Sequence, residues 1–189
     1  EYLTVARITV QIAAGRVPVV AGAGGYNTAE VIHRIHELKA VGVDGILSVS
    51  PYYNRPTQEG IYQHYRAIGQ STDLGIIVYN VPGRTGSNIL PETLLRLAEL
   101  PNILGVKEAS GDISQIGEIC TRVPVRFRVL SGDDALTLPV IALGGHGVVS
   151  VASNEAPRMM AGFVSACLEG RWDEARAWNR KLYPLMRIN

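Results

Sequence analysis

The stretch GIIVYNVPGRTGSNILPETLLRLAELPNILGVKE, residues 75–108, contains one full strand–helix–strand unit. It opens on a short apolar run, Gly75–Tyr79, continuous in Ile and Val rather than alternating. Runs of that kind suit strands buried on both faces of a parallel sheet. Pro91 suits the first turn of a helix carrying Leu94, Leu95 and Ala98, and Pro101 ends it. A second apolar run, Ile103–Val106, follows and ends on Lys107 and Glu108.

The same texture recurs on either side. Further apolar runs lie at Val17–Ala21, Gly45–Val49, Phe127–Leu130 and Gly147–Val151. Between them, Asn27 can cap a helix with Glu30 reaching back, and Val31, Ile32, Ile35 and Leu38 share its inner face. Gly42 suits the exit. Pro56 and Thr57 precede a helix with Ile61, Tyr65 and Ile68 in register; Ile113, Ile116 and Cys120 make another stripe. Leu136–Leu143 reads as a short helix, Asn154 as the cap of a helix closed by Gly170, and Trp172, Ala175, Trp178 and Leu182 as a last amphipathic segment. The opening EYLTVARITVQIAAG also reads as folded helix. Six strand-then-helix units at spacings of roughly 20 to 30 residues match βα repeats. Strict alternation leaves an open doubly wound sheet or a barrel. Gly22-Ala23-Gly24-Gly25, with Asp44 downstream, resembles part of a dinucleotide fingerprint, but Asn27 stands where the third glycine belongs. A tight turn ending in a helix cap is the plainer expectation.

Composition narrows the function. The 189 residues are 47% apolar and 19% charged, with formal net charge +1, an ordinary globular balance. No basic face points to nucleic acid, and no apolar run reaches the ~20 residues of a membrane span. No signal peptide is evident, and a reducing cytoplasmic setting is expected. Cys120 and Cys167 lack metal-ligand spacing and read as inert thiols. His33 and His36 have a helical spacing without a third ligand and read as a solvated pair. Gly144-Gly145-His146-Gly147 precedes a strand rather than a helix, so it reads as a close-packed turn and not a phosphate cradle.

The informative polar residues follow the apolar runs: Tyr52 and Tyr53, Tyr79 and Asn80, Lys107 and Glu108, Ser131-Gly132-Asp133, and Ser150. In a barrel of parallel strands these positions share the C-terminal rim, where such enzymes keep their sites. Lys107 is the sharpest. Burial disfavours an ammonium, and a neutral lysine amine attacks ketones; the other reading is a lysine that snorkels outward or pairs with Glu108. Tyr79 suits a proton relay or an aromatic plug. Arg84 suits a carboxylate fork or a solvated loop.

Taken together, PYYNRP at 51–56, YNVPGRTG at 79–86, GVKEASGD at 105–112, LSGDD at 130–134 and GGHGVVSV at 144–151 resemble the dihydrodipicolinate synthase family, within the pyruvate-dependent class I lyases. The resemblance covers almost the whole chain. It implies a (β/α)8 barrel, of which this chain supplies strands three to eight, with 1–170 the partial barrel and 171–189 the start of a C-terminal helical region. It implies that Lys107 forms a Schiff base with pyruvate, that Tyr79 positions pyruvate and relays protons, and that Tyr53 completes the relay in a neighbouring subunit. Arg84 matches the residue that binds the carboxylate of L-aspartate 4-semialdehyde. Gly132 and Val149 match positions whose backbone lines the pyruvate pocket. The implied assembly is a homotetramer, a dimer of dimers, with no metal or organic cofactor.

Three departures accompany the match. The two preceding strands, with their Gly-Thr-Thr-Gly-Glu loop, are absent from the sequence, and the chain stops inside the C-terminal helical region, so a longer polypeptide and an inactive 1–189 fragment are expected. Tyr26 stands where lysine-inhibited members carry asparagine, although Tyr52 and Glu30 match other positions of that allosteric cleft. The alternatives are a pyruvate aldolase for another aldehyde, of the N-acetylneuraminate lyase or 2-keto-3-deoxy sugar acid type, and a non-catalytic barrel protein. Arg84 speaks for the synthase, since those aldolases generally lack it.

Overall fold

The structure is a computed structural model and describes residues 1–188. The chain forms two compact units, Glu1–Gly105 and a second from Val106 onward. Among the described residues five strands follow one another in sequence order, and the fold is α/β.

The first unit runs α1 (Tyr2–Ala13), β1 (Val20–Gly22), α2 (Thr28–Val41), β2 (Gly45–Val49), α3 (Gln58–Ser71), β3 (Gly75–Asn80), α4 (Pro82–Thr85), α5 (Pro91–Ala98) and the start of β4 (Ile103–Glu108). β1, β2 and β3 are parallel, with Ala21 opposite Ile46 and Ile46 opposite Ile76. The caps expected at the two ends of α2 are present. Asn27 Oδ1 accepts from the backbone amides of Ala29 and Glu30 at 3.1 and 3.4 Å, and its side-chain Nδ2 donates to Glu30 Oε1 at 3.0 Å. Thr57 caps α3 through the Gly60 amide, and Gly42 ends α2 at φ 93°. Val31, Ile35 and Leu38 of α2 and Ile61, Tyr65 and Ile68 of α3 are buried.

The second unit completes β4 and adds α6 (Ile113–Arg122), β5 (Arg128–Ser131), α7 (Thr137–Ala142), α8 (Pro157–Leu168) and α9 (Trp172–Ile188), with 3₁₀ turns at Asp134–Leu136 and Ala152–Asn154. Its core gathers Ile141, Met160, Phe163, Ala166, Cys167, Ala175, Leu182 and Met186, so α9 packs with α7 and α8. Cys167 is buried and Cys120 half-buried; burial raises both thiols above their ordinary range, as inert cysteines require.

Several expectations need correction. The run Val17–Ala21 pairs only from Val20, because Pro18 has no N–H and the Val19 amide donates to Asp44 Oδ2 at 2.7 Å. Asp44 is thus a strut at the strand start. Gly147–Val151 is not a strand. It makes a single parallel bridge, Ser131 to Val148, and the amides of Val151 and Ala152 donate instead to Asp134 Oδ2 at 3.0 and 2.9 Å, which turns the chain into its 3₁₀ segment. Asn154 caps no helix: its side chain donates to Val151 O, and α8 begins at Pro157 without a side-chain cap. His36 is not merely solvated, since its Nε2 lies 2.9 Å from Ser71 O at the end of α3, whereas His33 is exposed beside Glu37. The strands are not uniformly buried. In β2 and β3 the even-numbered Ile46, Ser48, Ile76, Val78 and Asn80 are buried, while Leu47, Val49, Ile77 and Tyr79 on the other face are half-buried.

Two consequences for stability follow. A Cβ on Gly24 would sit 2.4 Å from Val49 Cγ1 and 2.8 Å from the Val49 nitrogen, so the turn passes directly over β2. Because part of the obstruction is backbone, Gly24→Ala should lower stability by about 1–3 kcal/mol; an unchanged denaturant midpoint would contradict this contact. His64 is buried, with Nδ1 2.9 Å from Thr28 Oγ1 and Nε2 enclosed without a partner among the described residues, and burial lowers its pKa to about 4. The unfolded chain therefore takes up a proton near pH 6.5 that the folded chain refuses until about pH 4. The stability due to neutral His64 is complete above about pH 6.5 and is lost progressively as pH falls towards 4, about 3 kcal/mol at most. Urea titrations at pH 7.5 and 4.5 should show this loss in the wild type and a smaller one in His64→Phe; equal losses would remove the assignment.

Candidate active site

In the first unit the strand-end residues build a half-open cavity of about 370 Å³, lined by Gly22, Gly24, Leu47, Val49, Tyr52, Tyr79, Val81, Arg84 and Thr85. Tyr79 reaches it because it lies on the half-buried face of β3. Its neighbour Asn80 points the other way. The Asn80 side chain is fully buried, accepts from the Ile89 amide at 3.0 Å and donates to Asn88 Oδ1 at 2.8 Å. It folds the loop after β3 back on itself.

Arg84 sits on α4, a single turn that Thr85 and Gln58 hold in place. Thr85 Oγ1 donates to Ser87 O at 2.9 Å. Gln58 donates to Asn88 O at 2.7 Å and accepts from the Leu90 amide at 3.1 Å and the Thr93 hydroxyl at 2.6 Å. Gly86 ends the turn at φ 74°, and a Cβ there would lie 2.8 Å from Arg55 Nε. The guanidinium of Arg84 is thus exposed on a fixed platform that also lines the cavity. A fixed fork of donors suits a planar carboxylate.

Tyr53 does not line that cavity. It is 85% exposed, and both it (φ 69°) and Arg55 (φ 45°) hold left-handed backbone that non-glycine residues seldom adopt. Its ring centroid lies 6.0 Å from that of Tyr26. A second cleft of about 300 Å³ contains Tyr2, Tyr26, Glu30, Arg34 and Tyr52, so the structure joins the two residues read as allosteric, Glu30 and Tyr52. Tyr26 and Tyr52 meet edge to face at 5.5 Å.

In the second unit Lys107 lies near the end of β4 and is half-buried. Gly132 packs against it: a Cβ on Gly132 would meet Lys107 Cγ at 3.1 Å and Ala109 Cβ at 2.7 Å. The Gly132 amide donates to Glu108 O at 2.7 Å, and Val149 is placed alongside by its amide, which donates to Ser131 O at 2.9 Å. Lys107, Gly132 and Val149 therefore occupy one neighbourhood. Glu108, Ser131 and Ser150 are turned to structural work. Glu108 is buried and accepts from the Ser110 amide, Ser131 Oγ donates to Asp133 O, and Ser150 Oγ accepts from the Ser153 amide. Among the described residues no three His, Cys, Asp or Glu side chains converge as metal ligands, and no helix is long and apolar enough to cross a membrane.

Comparisons with known proteins place the chain in one family. The family model described as "Dihydrodipicolinate synthetase family" matches residues 1–189. A 4-hydroxy-tetrahydrodipicolinate synthase of Koribacter versatilis is 52% identical over 190 residues, covering 100% of this chain and 63% of that protein. The crystal structure of dihydrodipicolinate synthase from Aquifex aeolicus superposes with TM-score 0.97 at 44% identity, over 99% of this chain and 64% of that one. A chloride-inhibited dihydrodipicolinate synthase from Acinetobacter baumannii, complexed with pyruvate, superposes with TM-score 0.96 at 38% identity, again over 99% of this chain and 64% of that one. The chain thus spans a little under two thirds of the length of these relatives. With the whole chain matched at this level, it belongs to the dihydrodipicolinate synthetase family.

Proposed function

We propose that the protein carrying this chain condenses pyruvate with L-aspartate 4-semialdehyde to give 4-hydroxy-tetrahydrodipicolinate. The choice of second substrate rests on one observation: Arg84, held on its rigid turn, lines the same cavity as Tyr79. The 52% identity with a synthase supports the same choice. The proposed setting is a (β/α)8 barrel with its site at the C-terminal rim, α9 beginning a C-terminal helical region, in a cytoplasmic homotetramer built as a dimer of dimers.

In the proposed mechanism the Lys107 amine adds to C2 of pyruvate and water leaves, giving an iminium ion. The iminium draws electrons from the neighbouring methyl group, which loses a proton to form an enamine. Tyr79, with Tyr53 from a neighbouring subunit, carries that proton. The enamine carbon attacks the aldehyde, whose carboxylate Arg84 holds. The amine of the adduct then displaces Lys107 and closes the ring. Backbone at Gly132 and Val149 lines the pyruvate pocket. The lysine supplies the electron sink, so the mechanism calls on no metal or organic cofactor. The cleft at Glu30 and Tyr52 is the proposed effector pocket, with Tyr26 in place of the asparagine of lysine-inhibited members.

The test is substrate choice in the full-length polypeptide. Pyruvate should be consumed with aspartate semialdehyde and not detectably with N-acetylmannosamine or sugar aldehydes. Preference for a sugar aldehyde would replace the synthase reading by an aldolase.

A further inference from the structure

Glu108 directly follows Lys107, yet the two side chains leave β4 on opposite faces, as neighbours on a strand must. Glu108 is only 1% exposed. A carboxylate that deep needs compensating partners, and one of them is the Ser110 amide, 2.7 Å from its Oε1. The contact pins the first residues after the strand. From there order passes along the loop: the Asp112 amide donates to Ser110 Oγ at 3.2 Å, and Asp112 Oδ1 accepts from the Gln115 amide at 3.0 Å to cap α6. The charge of Glu108 also reaches Cys120 on α6, where it adds to burial in holding the thiol protonated. The carboxylate therefore sits between the strand end and the helix that follows.

The backbone of Glu108 does a second job. Its carbonyl accepts from the Gly132 amide at 2.7 Å, which brings Gly132 against Lys107 Cγ and Ala109 Cβ with no room for a side chain. Lys107 is thereby held partway along its stem, between its own strand and Gly132. Movement of residues 108–110 would move both the wall beside Lys107 and the root of its side chain.

We propose that Glu108 is a positioning residue for Lys107: its buried carboxylate fixes the strand end and loop 109–112, and so fixes where the Lys107 amine is presented. This rests on the reading of Lys107 as the Schiff-base lysine. Misplacement of a reacting atom by about 1 Å can cost on the order of a hundredfold in rate. The requirement is an acceptor of the right length facing the Ser110 amide, so Gln should largely substitute and Asp or Ala should not.

The experiment is borohydride trapping of pyruvate on Lys107 in the full-length protein, followed by mass spectrometry over time at several pyruvate concentrations. Glu108→Ala and Glu108→Asp should trap roughly tenfold to a hundredfold more slowly at saturating pyruvate, with less than about a threefold change in the half-saturating concentration. Glu108→Gln should trap within about threefold of the wild type. A general loss of structure would not separate Gln from Asp in this way, and melting curves identify any variant that does not fold; Asp serves if Ala fails. Trapping by Ala and Asp within twofold of the wild type would overturn the positioning role. Gln as slow as Ala would overturn the acceptor mechanism. No wild-type adduct at Lys107 would overturn the Schiff-base reading itself, an outcome distinct from the other two.

Discussion

Lys107→Ala is expected to abolish turnover, by on the order of 10⁴-fold or more, while leaving the fold intact. The size follows from the role: a nucleophile that forms the covalent intermediate acts as a unit with the groups around it, and its removal forfeits their contribution as well. The fold should survive because Lys107 is half-buried and the core contacts of β4 are made by Ile103 and Val106, both fully buried. Truncation also leaves the Gly132 amide bond to Glu108 O in place, since that bond is backbone. Steady-state turnover and a melting curve check both halves. Loss of activity together with loss of folding would make Lys107 structural; retained activity would remove it from the reaction.

Arg84→Ala should act on one substrate only. Arg84 is exposed on α4, and its platform is held by Asn80, Thr85 and Gln58 through contacts that do not involve the guanidinium. The loop should therefore keep its shape. A charge-assisted hydrogen bond to a carboxylate is worth ~1.5–3 kcal/mol, or roughly tenfold to a hundredfold in kcat/KM for aspartate semialdehyde. Formation of the pyruvate adduct should be unchanged within about twofold, because the effect belongs to the second substrate. Equal damage to both half-reactions would make Arg84 a structural residue and remove the best support for this aldehyde.

Much of this was legible in the sequence because its signals were local. Asn27 and Gly42 mark helix ends by chemistry that acts within a few residues, and the structure uses both as expected. Ile35, Leu38, Ile61 and Ile68 fall at helical spacing and are buried. The Asn154 misreading is local, since its side chain turns back to Val151 O, but two others concern competition between distant groups. Nothing near Val19 or Val151 in sequence announces that Asp44 or Asp134 will take their amides from a ladder.

Alternation along a strand explains the other gap. The sequence order places Tyr79 and Asn80, like Lys107 and Glu108, at one rim, but consecutive strand residues cannot face the same side. Period-two parity alone places one member of each pair on the far face. Which member is decided by what lies there: Asn80 finds the Ile89 amide and Glu108 the Ser110 amide, whereas Tyr79 is left facing the cavity. The loop-fixing role of Gln58 had no sequence signal, because its partners lie thirty and more residues away.

The central claim is that Lys107 carries pyruvate covalently. The most direct measurement is mass spectrometry of the full-length protein after incubation with pyruvate and borohydride, with the modified peptide sequenced. One reduced pyruvate adduct is expected, on Lys107, formed in the wild type and in Arg84→Ala and missing in Lys107→Ala. An adduct on Lys39 or Lys181 instead, or none on any lysine, would contradict it.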